Sequence, residues 1–128
     1  MVEDRVTDGR RIAQLLASEL TAREDGPLAA LELTDVDRDA QPSADGALAY
    51  RLARDGEPFA DAYLQPDRVR LAFRVAPEAV AVAAREAGLR VRPKAVEPPR
   101  TLVFVESGVD AKRVLDAVRA ALDRGADF

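Results

Sequence analysis

The stretch RVRLAFRV, residues 68 to 75, decides the fold of this chain. Its basic and apolar residues alternate, which is the pattern of a β-strand with one exposed and one buried face. Strands of this kind build antiparallel sheets that are covered on one face only. The apolar side carries Val69, Leu71, Phe73 and Val75, and the basic side carries Arg68, Arg70 and Arg74.

The residues before this stretch predict three more strands. Asp55-Gly56 is a strong signal for a two-residue hairpin turn, and Pro66-Asp67 is a second turn that leads into residues 68–75. Four strands joined mostly by short turns favour an antiparallel meander. The predicted strands are residues 28–36, 47–54 and 57–65, with a long loop of turn formers at residues 37–46.

Helices are predicted at the two ends of the chain and after the meander. Each segment repeats apolar residues at the spacing of one helical face, and Thr7 or Asp8 and then Ser107 are suited to cap the first and the last. The predicted helices cover residues 8–24, 78–87 and 107–125, and two further strands are predicted at residues 89–93 and 101–106.

Together these elements predict one α+β domain over residues 1–128, in the order α-β-β-β-β-α-(β)-β-α. The sheet is mainly antiparallel, with four to six strands. Each helix has a single apolar stripe, so all three helices are expected to pack on one face of the sheet.

The composition excludes several kinds of chemistry. With no cysteine and no histidine, the chain has no disulfide, no thiol nucleophile, no imidazole base and none of the commonest transition-metal ligands. Catalysis would depend on carboxylates, Lys, Tyr, Ser or Thr. We therefore favour a protein that is not an enzyme and that has no cofactor, and an enzyme that uses Asp, Tyr and Arg side chains is the third choice.

No apolar run is long enough to span a membrane, and the N-terminus lacks the apolar core of a signal peptide. We therefore predict a soluble, cytoplasmic protein with no membrane partner. Seventeen of the nineteen basic residues are arginine, and aspartate outnumbers glutamate by fourteen to nine. This preference is typical of proteins from extremely halophilic archaea, although a high genomic GC content also raises arginine and alanine.

The opening of the chain, MVEDRVTDGRRIAQLLASELTARE, and the order of its elements resemble small haloarchaeal proteins of unknown function. The resemblance spans the chain and rests on composition and pattern. It implies a cytoplasmic domain without an assigned activity. It transfers no functional residue.

Three weaker candidates have ordinary structural explanations, which we favour. Asp35, Asp37 and Asp39 are spaced like the first calcium ligands of an EF-hand, but the required glycine and final glutamate are missing, so no metal site is predicted. The Ser107-Gly108 turn is expected to be an ordinary helix cap. The aromatic residues of the meander are expected to belong to the core, rather than to a base-stacking surface. These are Tyr50, Phe59 and Tyr63.

The basic face of the sheet is the main candidate site. Residues 1–64 carry seven basic and fourteen acidic side chains, whereas residues 65–128 carry twelve and nine. The basic excess lies between residues 66 and 100. The predicted binding residues are Arg68, Arg70, Arg74, Arg90 and Arg92, with Lys94 and Arg100 extending the patch.

Three roles are open for these cations. They can pair within the sheet with acids such as Glu32, Asp61 or Glu97, which we favour. They can instead meet an acidic surface of another copy or of a protein partner, or they can bind nucleic acid. We expect an uncharacterised interaction or small-ligand-binding module that self-associates. A nucleic-acid-associated protein that uses residues 66–100 is the alternative.

Overall fold

A computed structural model describes residues 7–22, 26–94 and 99–125, and within these ranges it contains a six-stranded sheet and a layer of helices. The helices are α1 (Gly9–Thr21), α2 (Pro77–Glu86), α3 (Gly108–Arg113) and α4 (Leu115–Gly125). The strands are β1 (Leu31–Thr34), β2 (Ala47–Arg54), β3 (Glu57–Gln65), β4 (Arg68–Phe73), β5 (Arg90–Lys94) and β6 (Arg100–Val105).

The sheet is antiparallel throughout, in the order β1-β2-β3-β4-β6-β5. This confirms the predicted α+β class and the antiparallel meander. None of the helices in the described ranges is long and apolar enough to cross a membrane.

The register of the strands gives the sheet two different faces. Ala62 pairs with Leu71, and Leu71 with Val103, so these residues share the face that packs against the helices. Tyr63 pairs with Arg70, which pairs with Phe104, so these residues share the opposite face. We call this second face the open face, because its small buried cluster of Ala72, Leu102 and Phe104 contains no helix residue.

Helix α1 begins against the turn between β3 and β4. Asp8 caps the helix by accepting a hydrogen bond from the Arg11 N–H, as the sequence predicted. Gly9 donates its N–H to the Pro66 carbonyl, and a Cβ at this position would collide with the Gln65 carbonyl oxygen. The start of the helix therefore requires glycine.

The predicted strand over residues 28–36 is too long. Residues Pro27–Ala30 form a short 3₁₀-helix, and β1 covers only Leu31–Thr34. Pro27 lacks the N–H that a strand ladder needs, and Asp35 has a left-handed backbone with φ of +50°. These two residues confine the strand to four positions.

The alternation predicted for β3 fails at Phe59. Ala60 pairs with Leu52, whereas Pro58 pairs with Ala53, so the register shifts by one residue between them. Such a bulge turns one side chain to the other face of a sheet. Phe59 is therefore buried among the helix-side core residues, while Asp61 and Tyr63 lie on the open face.

Three other predicted elements differ from the structure in extent. The strand predicted over residues 68–75 ends at Phe73. The last predicted helix is interrupted at Val114, and its two parts, α3 and α4, contact different neighbours: α3 lies against α1, and α4 against α2. The first helix ends at Thr21, and the rest of the predicted segment falls partly outside the described residues.

Candidate functional site

The five predicted arginines lie on one side of the sheet. The pairing register puts Arg68, Arg70, Arg90 and Arg92 on the open face, and Arg74 follows β4 on the same side. The open face carries three more cations, which are Arg51, Lys94 and Arg100. The sequence grouped all of these except Arg51, which lies outside residues 66–100, where the basic excess is found.

Asp61 organises one part of the open face. Its side chain is only 5% exposed, and both of its oxygens are occupied. Arg74 donates to it twice, at 3.1 and 2.8 Å, and Arg51 Nε donates to Oδ1 at 3.0 Å. Two guanidinium groups thus neutralise a buried carboxylate, which is the geometry that favours a charged acid inside a protein.

Arg51 connects this cluster to the loop after β1. Its Nη1 donates to Asp35 Oδ2 at 2.8 Å, and this hydrogen bond, together with the one to Asp61, raises the pKa of Arg51. The pairing predicted between arginines and acids of neighbouring strands is therefore present at Asp61. Glu32 has another role, because it accepts a hydrogen bond from the Gly56 N–H. Glu97 lies outside the described residues.

Glu106 forms ion pairs with two arginines at the other end of the open face. Arg68 Nη1 lies 3.3 Å from its carboxylate and Arg90 Nε lies 3.8 Å from it. Arg68 also donates to the Gln65 side chain at 2.9 Å. The Arg90 side chain is 62% exposed, so its attraction to Glu106 is weak.

Three cations on the open face, Arg70, Arg92 and Lys94, have no carboxylate partner among the described residues. Arg70 donates to the Asp45 carbonyl at 3.2 Å and forms no ion pair within the described ranges. Arg92 and Lys94 are exposed, and neither side chain has a hydrogen bond or an ion pair to any residue that the structure describes. Positive charge on this face is therefore only partly neutralised.

Two aromatic rings lie among these cations. The Arg68 guanidinium lies 4.3 Å from the centre of the Phe104 ring, and the Arg70 guanidinium lies 4.7 Å from that of Tyr63. These are cation–π distances. Tyr50 and Phe59 are buried on the helix side, so the aromatic residues of the meander separate into two core residues and one residue of the open face.

A depression of about 420 Å³ opens between these groups, and we call it the basin. Its lining includes the apolar side chains of Ala72 and Leu102, together with Tyr63 and Asp61. Four cations surround it, which are Arg70, Arg74, Lys94 and Arg100. Arg74 is paired with Asp61, and Asp45 is the other acidic residue of the lining.

The other candidates from the sequence do not form sites. Asp37 Oδ1 accepts the Asp39 N–H and Asp35 pairs with Arg51, and among the described residues no three carboxylates converge as metal ligands. Ser107 Oγ accepts the Asp110 N–H at 3.2 Å, and the Asp110 side chain in turn accepts the Glu106 N–H. The start of α3 is thus a helix cap that uses its own side chains.

The fold and this face define a class of protein: an antiparallel α+β domain with a helix-covered face and an open, arginine-rich face. The chain belongs to a family of unknown function, DUF7993, which it matches over residues 1–127. This agrees with the predicted membership of a family of unknown function. No curated protein and no solved structure matches the chain.

Proposed function

We propose that this protein is a non-enzymatic binding module that holds a small organic dianion in the basin. The observation that carries the proposal is the pair of Arg70 and Lys94, two cations on the basin wall that lack a carboxylate partner among the described residues. Unpaired arginine and lysine beside a concave surface are the groups that bind phosphate and carboxylate.

The lining of the basin supports an organic ligand over a simple ion. Ala72 and Leu102 are apolar and buried, and they line the same depression as the cations. A ligand with an apolar body and an anionic group would place the body on this floor and the anion against Arg70 and Lys94. Asp61 has both oxygens engaged by arginines, so the proposal assigns no proton transfer to it.

The test measures binding of phenyl phosphate and of inorganic phosphate by amide NMR shifts, at an ionic strength held constant with KCl. We expect selective shifts at residues 70–74 and 100–102, and tighter binding of phenyl phosphate because its ring buries on Leu102. The variants Arg70→Gln and Lys94→Met should each weaken binding about tenfold, the effect of one lost charge-assisted hydrogen bond.

Arg38→Gln is the matched control, because Arg38 is an exposed arginine on the loop after β1, away from the basin. Its affinity should equal that of the wild type. Equal shifts in KCl alone, or equal affinities for Arg70→Gln and wild type, would overturn the proposal. Arg74 is unsuitable for this test, because replacing it would leave the buried carboxylate of Asp61 with Arg51 as its one remaining arginine partner and would destabilise the fold.

Nucleic acid is the second candidate, and the rings of Tyr63 and Phe104 on the open face favour it. Bases can stack on such rings while arginines hold the phosphates. Arginines already cover both rings, however, so each base would have to displace a guanidinium group. An oligothymidylate that binds more tightly than phenyl phosphate, and that loses affinity in a Phe104→Leu variant, would favour this candidate.

We further propose a cytoplasmic location and a halophilic archaeal host. The support is compositional: only two of nineteen basic residues are lysine, aspartate is the commoner acid, and there is no cysteine. A circular dichroism melt across a KCl series tests the habitat. A melting temperature that falls as KCl rises into the molar range would contradict it.

A further inference from the structure

The edge of the sheet at β5 combines two features that neither the fold nor the basin explains. β5 is the last strand of the sheet, and among the described residues it pairs with β6 alone. The backbone groups of every second residue of such a strand point away from its partner and can bind an added strand. A groove and a row of cations lie on the two sides of this edge.

The groove lies on the helix side, between β5 and α2. It has a volume of about 360 Å³, and its apolar lining includes Ala81 and Val82 of α2 and Val91 and Pro93 of β5. Glu78 and Arg85 of α2 also line the groove. Val82 is 52% exposed, one of two large apolar side chains this exposed in the described residues. An apolar surface of this kind beside a sheet edge fits the side chains of an added strand.

The cations lie on the other side of the same strand. Arg90, Arg92 and Lys94 alternate with Val91 and Pro93, so all three point to the open face. Arg92 and Lys94 have no partner within the described ranges, and Arg90 has only the distant Glu106. An added strand would place every second side chain beside these cations and the others beside the groove.

We propose that the β5 edge binds an extended peptide of a partner protein in which acidic and apolar residues alternate. The acidic residues would face Arg90, Arg92 and Lys94, and the apolar residues would enter the groove beside Val82. Charge complementarity selects this occupant over a second copy of β5, because two copies would bring these cations face to face. Pro93 removes one backbone donor from β5, so an added peptide would form one hydrogen bond fewer if that position faces it.

The experiment uses a fluorescein-labelled synthetic peptide in which glutamate and valine alternate, and measures its binding to the full chain by fluorescence anisotropy. A peptide of the same composition, with its glutamates and valines in separate blocks, is the control ligand. We expect the alternating peptide to bind more tightly, with hydrogen exchange slowed at residues 90–94. Arg92→Glu and Val82→Glu should each weaken binding about tenfold or more, and Arg38→Glu should leave it unchanged.

The proposal is overturned if the two peptides bind equally, if Val82→Glu binds like the wild type, or if no binding occurs. Arg92 and Val82 are both exposed and neither lines the basin, so these variants keep their fold and their affinity for phenyl phosphate. Arg70→Gln, in turn, should keep its affinity for the peptide. Failure of one proposal is therefore distinguishable from failure of the other.

Discussion

At the scale of single residues, Asp61 shows how the open face is held together. The sequence identified it as a partner for the arginines because it shares their side of the sheet. Its burial, and its engagement by two arginines at once, depend on Arg74 reaching back across β3 and on Arg51 reaching from β2. Side-chain reach of this kind cannot be inferred from alternation alone.

Asp61→Asn should destabilise the protein by about 2–3 kcal/mol, because it leaves two guanidinium groups facing a neutral side chain. Urea unfolding followed by circular dichroism measures this change. Asp116→Asn is the matched control, since Asp116 is exposed and pairs only with Arg119 on its own helix. The control should change the free energy of unfolding by less than about 0.5 kcal/mol. Equal effects of the two substitutions would show that the Asp61 cluster is not stabilising.

Tyr50 makes the stability depend on pH in the alkaline range. Its hydroxyl donates to the Ala13 carbonyl at 2.8 Å, and burial raises the pKa of Tyr50. In the unfolded chain this tyrosine ionises above about pH 10, while the folded state keeps it protonated. Below about pH 10, Tyr50 should therefore add nothing to the pH dependence of the free energy of unfolding. Above about pH 10, the free energy of unfolding should fall as the pH rises.

Tyr50→Phe should lower the free energy of unfolding by about 1 kcal/mol near neutral pH, the contribution of one hydrogen bond. The difference between the wild type and Tyr50→Phe should shrink as the pH rises above about 10, because only the wild type loses stability through this group. Urea titrations at a series of pH values measure the difference. A constant difference across the series would contradict the role assigned to the burial of Tyr50.

Gly9→Ala should destabilise the protein by about 1–3 kcal/mol, because the new Cβ would collide with the Gln65 carbonyl. A loss of stability would be informative, because replacing glycine by alanine normally stabilises a helix. Ser18→Ala, at an exposed position of the same helix, should change the stability by less than about 0.5 kcal/mol. Thermal melts of both variants measure these changes. A gain in stability for Gly9→Ala would show that α1 does not approach the β3–β4 turn this closely.

At the scale of elements, alternation and turn residues predicted most of the fold. The bounds of β2 and β3 agree with the prediction because Asp55-Gly56 fixes the turn between them. The failures have local physical causes. A bulge at Phe59 and a left-handed residue at Asp35 are set by packing and backbone geometry, and neither leaves a mark on the hydrophobic pattern. The interruption at Val114 likewise follows from which neighbours the last helix meets.

Gly56→Ala should destabilise the β2–β3 hairpin by about 1–2 kcal/mol, because Gly56 has φ of +80° and alanine resists this conformation. A Cβ here would meet no atom within 4 Å, so the loss of stability would come from the backbone conformation and not from a steric clash. Gly56→Asn should lose less, since asparagine tolerates left-handed backbone. Thermal melts of the two variants test this order, and a greater loss for asparagine would contradict it.

At the scale of the whole molecule, charge is separated along the chain and across the sheet. The sequence predicted an acidic first half and a basic second half, and the register collects eight cations on the open face of a chain whose net charge is −4. The sequence could group these cations, but it could not show which of them are neutralised. The distinction between Arg74, which is paired, and Arg70, which is not, needs the positions of side chains.

We also propose that the open face attracts acidic surfaces of other copies, as expected from the sequence, which should cause self-association that depends on salt. Light scattering should show a mass that rises with protein concentration at low salt and returns to the monomer value at high salt, because salt screens such contacts. Arg90→Glu together with Arg92→Glu should abolish the rise. A monomer mass at every concentration and ionic strength would exclude self-association through this face.

Tyr63 lies in the lining of the basin, so a fluorescent side chain at this position would report binding to the open face. The chain contains no tryptophan, so a Tyr63→Trp variant would carry the sole indole of the molecule. Its emission would respond to whatever approaches Arg70, which lies over the ring of Tyr63 in the structure. Fractions of a cell extract could then be added to the Tyr63→Trp variant, which needs no chemical label. A fraction that changes the tryptophan emission would contain a compound that binds, and that compound could be identified.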